Sequence, residues 1–344
     1  EMAATWPPTP SGQSWLARGA GVSLLRFGLV GLGRHGSRYA THLLAGDVPA
    51  ASLAAVCRRD VAAARSFAAP HGLTTHADPG LLFADPGVDA VLLAVPPNLH
   101  PALVPAALAA GKPVLVEKPL ATDTEGARAI LAAARGASAP LMVAHTLRFD
   151  TVVQALRAGL PGIAPLTLLT LDQMAEPSGQ AWGDAPGVGG ALLNIGVHGF
   201  DLVRFLTGQE VVEVVCRTAR ARSLETEDTF AAVLTLSGPP GLAVMANSRA
   251  AGGRSGRIVA VGQAGQLAGD VAAGTLTLIR GRERTPLPLP PSAPTVREVL
   301  RAFVRALQEG RPVPVPAEEG YRAVTGAAAC ARSAAEGRPI RPPP

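Results

Sequence analysis

From residue 24 the chain alternates short, unbroken apolar runs with longer stretches whose apolar positions recur at helical spacing. That alternation is the pattern of parallel strands joined by crossover helices. Residues 24–30, 52–57, 90–95, 114–116 and 141–144 predict strands, because runs this short and this apolar suit strands covered on both faces. Helices are predicted over 34–45 and from an Asp60 N-cap to about residue 69. After His145 the texture changes. Residues 166–172, 211–219, 229–236, 242–247, 258–262 and 276–280 read as strands, most of them separated by short turns, which predicts an open, mainly antiparallel sheet. A strongly apolar helix over 191–206 lies within this half. Two more, 296–308 and 318–336, follow a proline-rich connector at 286–294. The expected class is α/β, a doubly wound parallel sheet over 24–146 followed by a second α/β domain over 147–344, with no internal repeat.

Composition narrows the function classes. Of 344 residues, 48% are hydrophobic and 17% charged, a globular balance with about two domains expected. No apolar run reaches the roughly 18 residues of a membrane span, so a soluble, cytoplasmic protein is expected. The formal charge of +5 raises the question of nucleic acid, but the arginines are scattered and no aromatic platform accompanies them. Lys112 and Lys118 are the only lysines, which singles both out for inspection. Cys57, Cys216 and Cys330 are far apart and in no metal-ligand spacing, so reduced core thiols and no metal are expected. Residues 1–23 hold several prolines and no basic start followed by an apolar core; they read as a loose tail or expression remnant rather than a signal peptide.

The first chemical motif is Gly31-Leu32-Gly33-Arg34-His35-Gly36, a G-x-G-x-x-G that follows a predicted strand and opens a predicted helix. The first glycine permits the tight turn, the second admits pyrophosphate to the backbone, and the third lets helix pack on strand. Free N–H groups at the helix start face the phosphate. A Rossmann dinucleotide-binding domain is therefore expected, with Arg34 and His35 inside the loop. Roughly 20 residues further on, where the adenosine ribose is met, the chain reads Cys57-Arg58-Arg59-Asp60. Guanidinium groups pair with a 2′-phosphate, so NADP is preferred, with NAD as the alternative in which Asp60 reaches the ribose.

The glycine motif, Pro96-Pro97-Asn98-Leu99-His100, Glu117-Lys118-Pro119 and Gly196-Val197-His198-Gly199-Phe200-Asp201 follow one another in an order that resembles the Gfo/Idh/MocA oxidoreductase family. The resemblance runs from Leu24 to a tail around Arg338-Pro339-Ile340. It implies a Rossmann domain followed by an α/β domain whose open sheet often mediates oligomerisation, here a homodimer or homotetramer. It also implies that Glu117 and Lys118 stand beside the nicotinamide, often with a cis bond before the proline. The loop with Pro96, Asn98 and His100 is implied to border the cofactor, although His100 could equally cap a helix from Pro101. Trp182 resembles an aromatic residue near the substrate.

On the predicted helix from Ala191, Asn194, His198 and Asp201 recur at i, i+4 and i+7, so they are expected on one face lining a cleft. Lys118, His198 and Asn194 are the catalytic candidates, and Trp182, Asn194 and His198 the substrate-binding ones. Asp201 is expected to be structural, holding a histidine or the backbone, and Arg148 to mark the domain junction. Asn194 stands where the family often has Asp, which alters the charge of the pocket. Loops near 173–188 and 248–256 are expected to set specificity. The expected activity is hydride exchange between nicotinamide and a secondary alcohol or carbonyl of a sugar, inositol or related polyol, with a small molecule as partner. A dinucleotide-binding sensor without turnover, and a dehydrogenase of another carbonyl such as a dihydrodiol, are the alternatives.

Overall fold

The structure is a computed structural model that describes residues 24–177, 185, 187–223, 225–239 and 241–343. The tail expected at 1–23, and Trp182, lie outside the described residues. The first sheet carries six parallel strands: β1 (Leu25–Val30), β2 (Ala51–Cys57), β3 (Thr74–His76), β4 (Ala90–Leu93), β5 (Val114–Glu117) and β6 (Leu141–Ala144). Helices α1 (Arg34–Leu44), α2 (Val61–Ala68), α3 (Pro79–Ala84), α4 (His100–Ala109) and α5 (Thr124–Gly136) connect them. The order β3-β2-β1-β4-β5-β6 reverses direction between β1 and β4, and a crevice opens beyond the carboxyl ends of strands at such a switch. β4, β5 and β6 are buried along their whole length, as unbroken apolar runs require. The Asp60 carboxylate caps α2, accepting from Ala63 N–H at 3.0 Å.

After α6 (Thr151–Gly159) comes the second sheet, whose first strand is β7 (Leu166–Met174). Helix α7 (Val197–Thr207) intervenes, and then β8 (Val211–Ala219), β9 (Thr229–Leu236), β10 (Leu242–Ser248), β11 (Ser255–Gly262), β12 (Gly265–Asp270), β13 (Thr275–Arg280) and β14 (Glu283–Pro286) follow. The order is β14-β13-β12-β11-β7-β10-β9-β8. Every pairing in it is antiparallel except β7 with β10. Along β9, Phe230, Ala232, Leu234 and Leu236 turn inward while Val233 points out, 45% exposed. One face thus packs on helices and the other is open.

Two helices close the chain, α8 (Thr295–Gln308) and α9 (Ala317–Glu336). The sequence assigns both to the second half, yet α8 returns to the first: Val299, Leu300 and Phe303 enter its core, with the Phe303 ring 6.2 Å from Phe27. α9 serves both cores. Tyr321 and Val324 pack in the first, while Ala323, Ala327 and Cys330 pack in the second. Helical periodicity locates an apolar stripe but does not say which core it meets. All three cysteines are buried free thiols. Among the described residues, no helix is long and apolar enough to cross a membrane, and no group of His, Cys, Asp and Glu could hold a metal.

Candidate dinucleotide and substrate cleft

A cavity of about 920 Å³ lies at the switch between β1 and β4 and extends under the end of β7. Gly31 holds φ +96°, and a Cβ there would strike the Ala94 carbonyl; at Gly36 it would strike the Gly31 carbonyl. These two glycines are needed for a turn and for close packing. Gly33 differs. A Cβ on it would meet nothing within 4 Å, so the backbone is bare toward the cavity. Neither a side-chain cap nor an acid occupies the first turn of α1, which leaves its N–H groups and positive dipole end for an anion. The turn therefore fits a pyrophosphate. Arg34 and His35 also line the cavity, as do Arg58 and Arg59 at the end of β2.

At the other end, β5 delivers Glu117 and Lys118. The Glu117 carboxylate is buried and accepts from the Tyr39 hydroxyl at 2.8 Å and from Lys118 N–H at 3.1 Å. Burial, with the carboxylate alongside, pushes the Tyr39 hydroxyl well above its ordinary pKa. His35 Nδ1 lies 3.8 Å from the same carboxylate, and burial lowers the His35 pKa despite it. The Lys118–Pro119 bond is cis. Lys118 Nζ donates to the Asn194 main-chain carbonyl at 2.7 Å, joining the two halves of the molecule at the cavity. Burial also lowers the Lys118 pKa; Glu117 opposes that shift and Arg249 adds to it.

The helix expected from Ala191 begins as a π-helical turn, Leu192–Gly196, before α7 proper. This wider turn places Asn194 in the cavity lining. The expectation of one polar stripe facing the cleft does not hold for Asp201, which is 1% exposed and turned away onto Arg148. Arg148 donates three hydrogen bonds to it, the closest at 2.7 Å. A buried carboxylate needs such a partner. Asp201 is thus structural, as expected, but it holds an arginine. The histidine near it is His145, whose Nδ1 lies 3.9 Å away. Arg148 continues to Glu319 of α9, and Glu319 to Arg204, so it stands at the junction of the halves.

His198 is half-buried and lies outside the cavity lining. Its Nδ1 is enclosed without a hydrogen-bond partner, and its ring stands edge-on to His145 at 6.1 Å. Burial, then the Lys118 charge, push its pKa well below 6.5. Pro96 lines the cavity, while Asn98 is exposed outside it. His100 departs from the expected cofactor border. It is fully buried, with Nδ1 3.1 Å from Pro119 O and Nε2 3.2 Å from Val95 O; burial favours the neutral ring, whose single N–H donates to one of these loop carbonyls, and it caps no helix.

Residues that the sequence reading passed over also meet here. Arg38 and Glu176 line the cavity, as do Arg249 and Arg254. The last three come from the two loops expected to govern specificity, but periodicity gives no signal for which loop residue points inward.

Comparison with known proteins agrees with this geometry. Residues 25–145 match a family described as "Oxidoreductase family, NAD-binding Rossmann fold", and residues 152–268 match the GFO/IDH/MocA C-terminal domain. Inositol 2-dehydrogenase 1 of Saccharopolyspora erythraea is 31% identical over 92% of this chain and 96% of its own length. Inositol 2-dehydrogenase of Rhizobium meliloti is 30% identical over 92% and 98%. A crystal structure of a probable dehydrogenase from Thermotoga maritima superposes with a TM-score of 0.80 at 28% identity, over 92% of this chain and 98% of that one.

Proposed function

The chain belongs to the Gfo/Idh/MocA oxidoreductase family and is a dehydrogenase acting on CH–OH groups; from that premise we propose an NADP-preferring enzyme for a sugar, inositol or related polyol. The observation that carries the reading is the Lys118 Nζ to Asn194 carbonyl bond of 2.7 Å. It brings a lysine of the Rossmann half and the helix of the other half together at the cavity. The nicotinamide supplies hydride acceptance and donation. The protein's residues supply position and proton transfer. Gly33 and the start of α1 receive pyrophosphate, and Arg58 and Arg59 receive the ribose phosphate. The Lys118 ammonium, which lines the cavity, orients the substrate oxygen and favours the neutral imidazole, and His198, set back from that lining and kept neutral by burial, is the proposed acceptor of the hydroxyl proton.

NADP preference rests on the two arginines beside Asp60, whose carboxylate is engaged in capping α2. Each charge-assisted phosphate contact is worth about 1.5 to 3 kcal/mol, more than tenfold in affinity. Calorimetric titration should therefore give tighter NADP than NAD, with the advantage lost in the Arg58→Ala, Arg59→Ala protein; equal or tighter NAD binding by the intact protein removes the preference. The activity itself is tested by screening sugars, inositols and aldoses with both cofactors while following absorbance of the reduced nicotinamide. Failure of every polyol to reduce either cofactor overturns the substrate class.

A further inference from the structure

Two buried carboxylates near the junction of the halves are held in different ways. Asp201 is clamped by the Arg148 guanidinium, a cation that cancels its charge. Glu117 is held by uncharged donors: the Tyr39 hydroxyl donates to Oε1 at 2.8 Å, and the Lys118 amide donates to Oε2 at 3.1 Å. Such donors satisfy a buried carboxylate without neutralising it. His35 from α1 and His100 from α4 feel the Glu117 field, but burial holds both toward their neutral forms. Lys118 is a cation in the same field, with its Nζ turned to the Asn194 carbonyl at 2.7 Å. Glu117 is only 7% exposed and yet lines the cavity.

Tyr39 is wholly buried and stands four residues after His35 on α1, so both reach Glu117 from one face of the helix that opens at the pyrophosphate turn. Burial and the carboxylate beside it push the Tyr39 hydroxyl well above its ordinary pKa, which keeps it a donor. The cavity follows the order of the sheet. Arg58 and Arg59 line it at the end of β2, Gly33 and the start of α1 beyond β1, and Pro96, Glu117 and Lys118 beyond β4 and β5. With adenosine ribose at β2 and pyrophosphate at α1, the ends of β4 and β5 are left for the nicotinamide. The oxidised nicotinamide ring carries a positive charge that hydride neutralises, so a carboxylate beside it holds the oxidised ring better than the reduced one.

We propose that Tyr39 is a positioning residue that fixes Glu117 beside the nicotinamide, and that the Glu117 charge so placed makes the cleft favour the oxidised cofactor over the reduced one. Tyr39 lies outside the cavity lining and acts through Glu117. The inference rests on the dinucleotide reading above and deepens it to the direction of cofactor loading: the oxidised dinucleotide enters with an advantage, and the reduced product is held less firmly once the ring charge is gone.

The test uses the full chain without substrate. Calorimetry titrates the oxidised and reduced forms of NADP and NAD, and also ADP-ribose and its 2′-phosphate, which lack the nicotinamide. The quantity read is the dissociation constant of the reduced form divided by that of the oxidised form. Glu117→Gln keeps the shape and removes the charge, and it should lower this ratio by at least about threefold. Tyr39→Phe removes one hydroxyl and should move the ratio the same way by about twofold or more. Affinity for the two probes without nicotinamide should stay nearly constant in both variants. A merely structural role would instead weaken both oxidation states and those probes together, leaving the ratio where it was. An unmoved ratio in Glu117→Gln that circular dichroism shows to be folded overturns the proposal, and that variant decides the charge effect even if Tyr39→Phe does not fold. A ratio moved by Glu117→Gln but not by folded Tyr39→Phe overturns the role of Tyr39. Failure of the intact protein to bind any of the dinucleotides overturns the dinucleotide reading itself, whereas binding with an unmoved ratio overturns this inference alone.

Discussion

Burial lowers the pKa of both Lys118 and His198, and the direction fixes the pH behaviour of the proposed reaction. Alcohol oxidation needs neutral His198, so it is lost as pH falls through a pKa well below 6.5; the rate should stay on its plateau through pH 6.5. The Lys118 cation is lost as pH rises through a value below its ordinary 10.5, so the alkaline fall should begin early. Positioned acid–base groups contribute about 10²- to 10⁴-fold. His198→Ala and Lys118→Ala should each lower kcat by about that factor with little change in cofactor affinity, and the double mutant should fall well short of the product. Single-turnover hydride transfer across pH would show it; fully multiplicative losses would refute the coupling. Lys118 was legible because motif and strand end coincide, and Asn194 because helical spacing put it on a polar stripe. The partner of Asp201 was not: Arg148 lies 53 positions away, and nothing local selects one buried arginine over another.

At the scale of elements, the turn from β1 to α1 separates folding from binding. Gly36→Ala would drive a methyl into the Gly31 carbonyl, an overpacking with typical cost of about 1 to 3 kcal/mol. Gly33→Ala points into open space. Thermal denaturation should accordingly show a lowered midpoint for Gly36→Ala and an unchanged one for Gly33→Ala, whereas dinucleotide titration should show weakened binding for Gly33→Ala. A destabilised Gly33→Ala would mean that this glycine serves the fold instead of the ligand. The strands that sequence pattern missed share a weakness of signal: β3 has three residues, β12 begins with a glycine and carries another, and β14 is an edge strand ending in Pro286. Glycine and proline weaken or confine a strand. The π-helical start of the substrate-side helix was hidden for a different reason, since an apolar sequence fits both windings and the choice is made by packing.

For the whole molecule, the open face of the second sheet exposes Val215 and Val233, with Leu242 beside them at the edge of β10. Apolar side chains gathered on an uncovered sheet favour burial against a second copy, and we propose a homodimer or homotetramer formed through this face. Sedimentation should show an assembly that Val233→Asp disperses; a monomer alone at micromolar concentration removes the proposal. The two sheets were legible from the change of texture after His145, but the sharing of α9 between both cores was not, because a helix with apolar residues around much of its girth does not declare two partners. That sharing has a dynamic consequence. A rod built into two bodies transmits stiffness between them, so ordering of the Rossmann half by a dinucleotide should quiet motion far from the nucleotide itself. Amide hydrogen exchange should slow not only at the α1 turn but along α9 as far as Cys330, and with it the cost of a second ligand ordering the substrate half should fall. Unchanged exchange beyond Val324 would mean that the helix bends locally and the two ligands act independently.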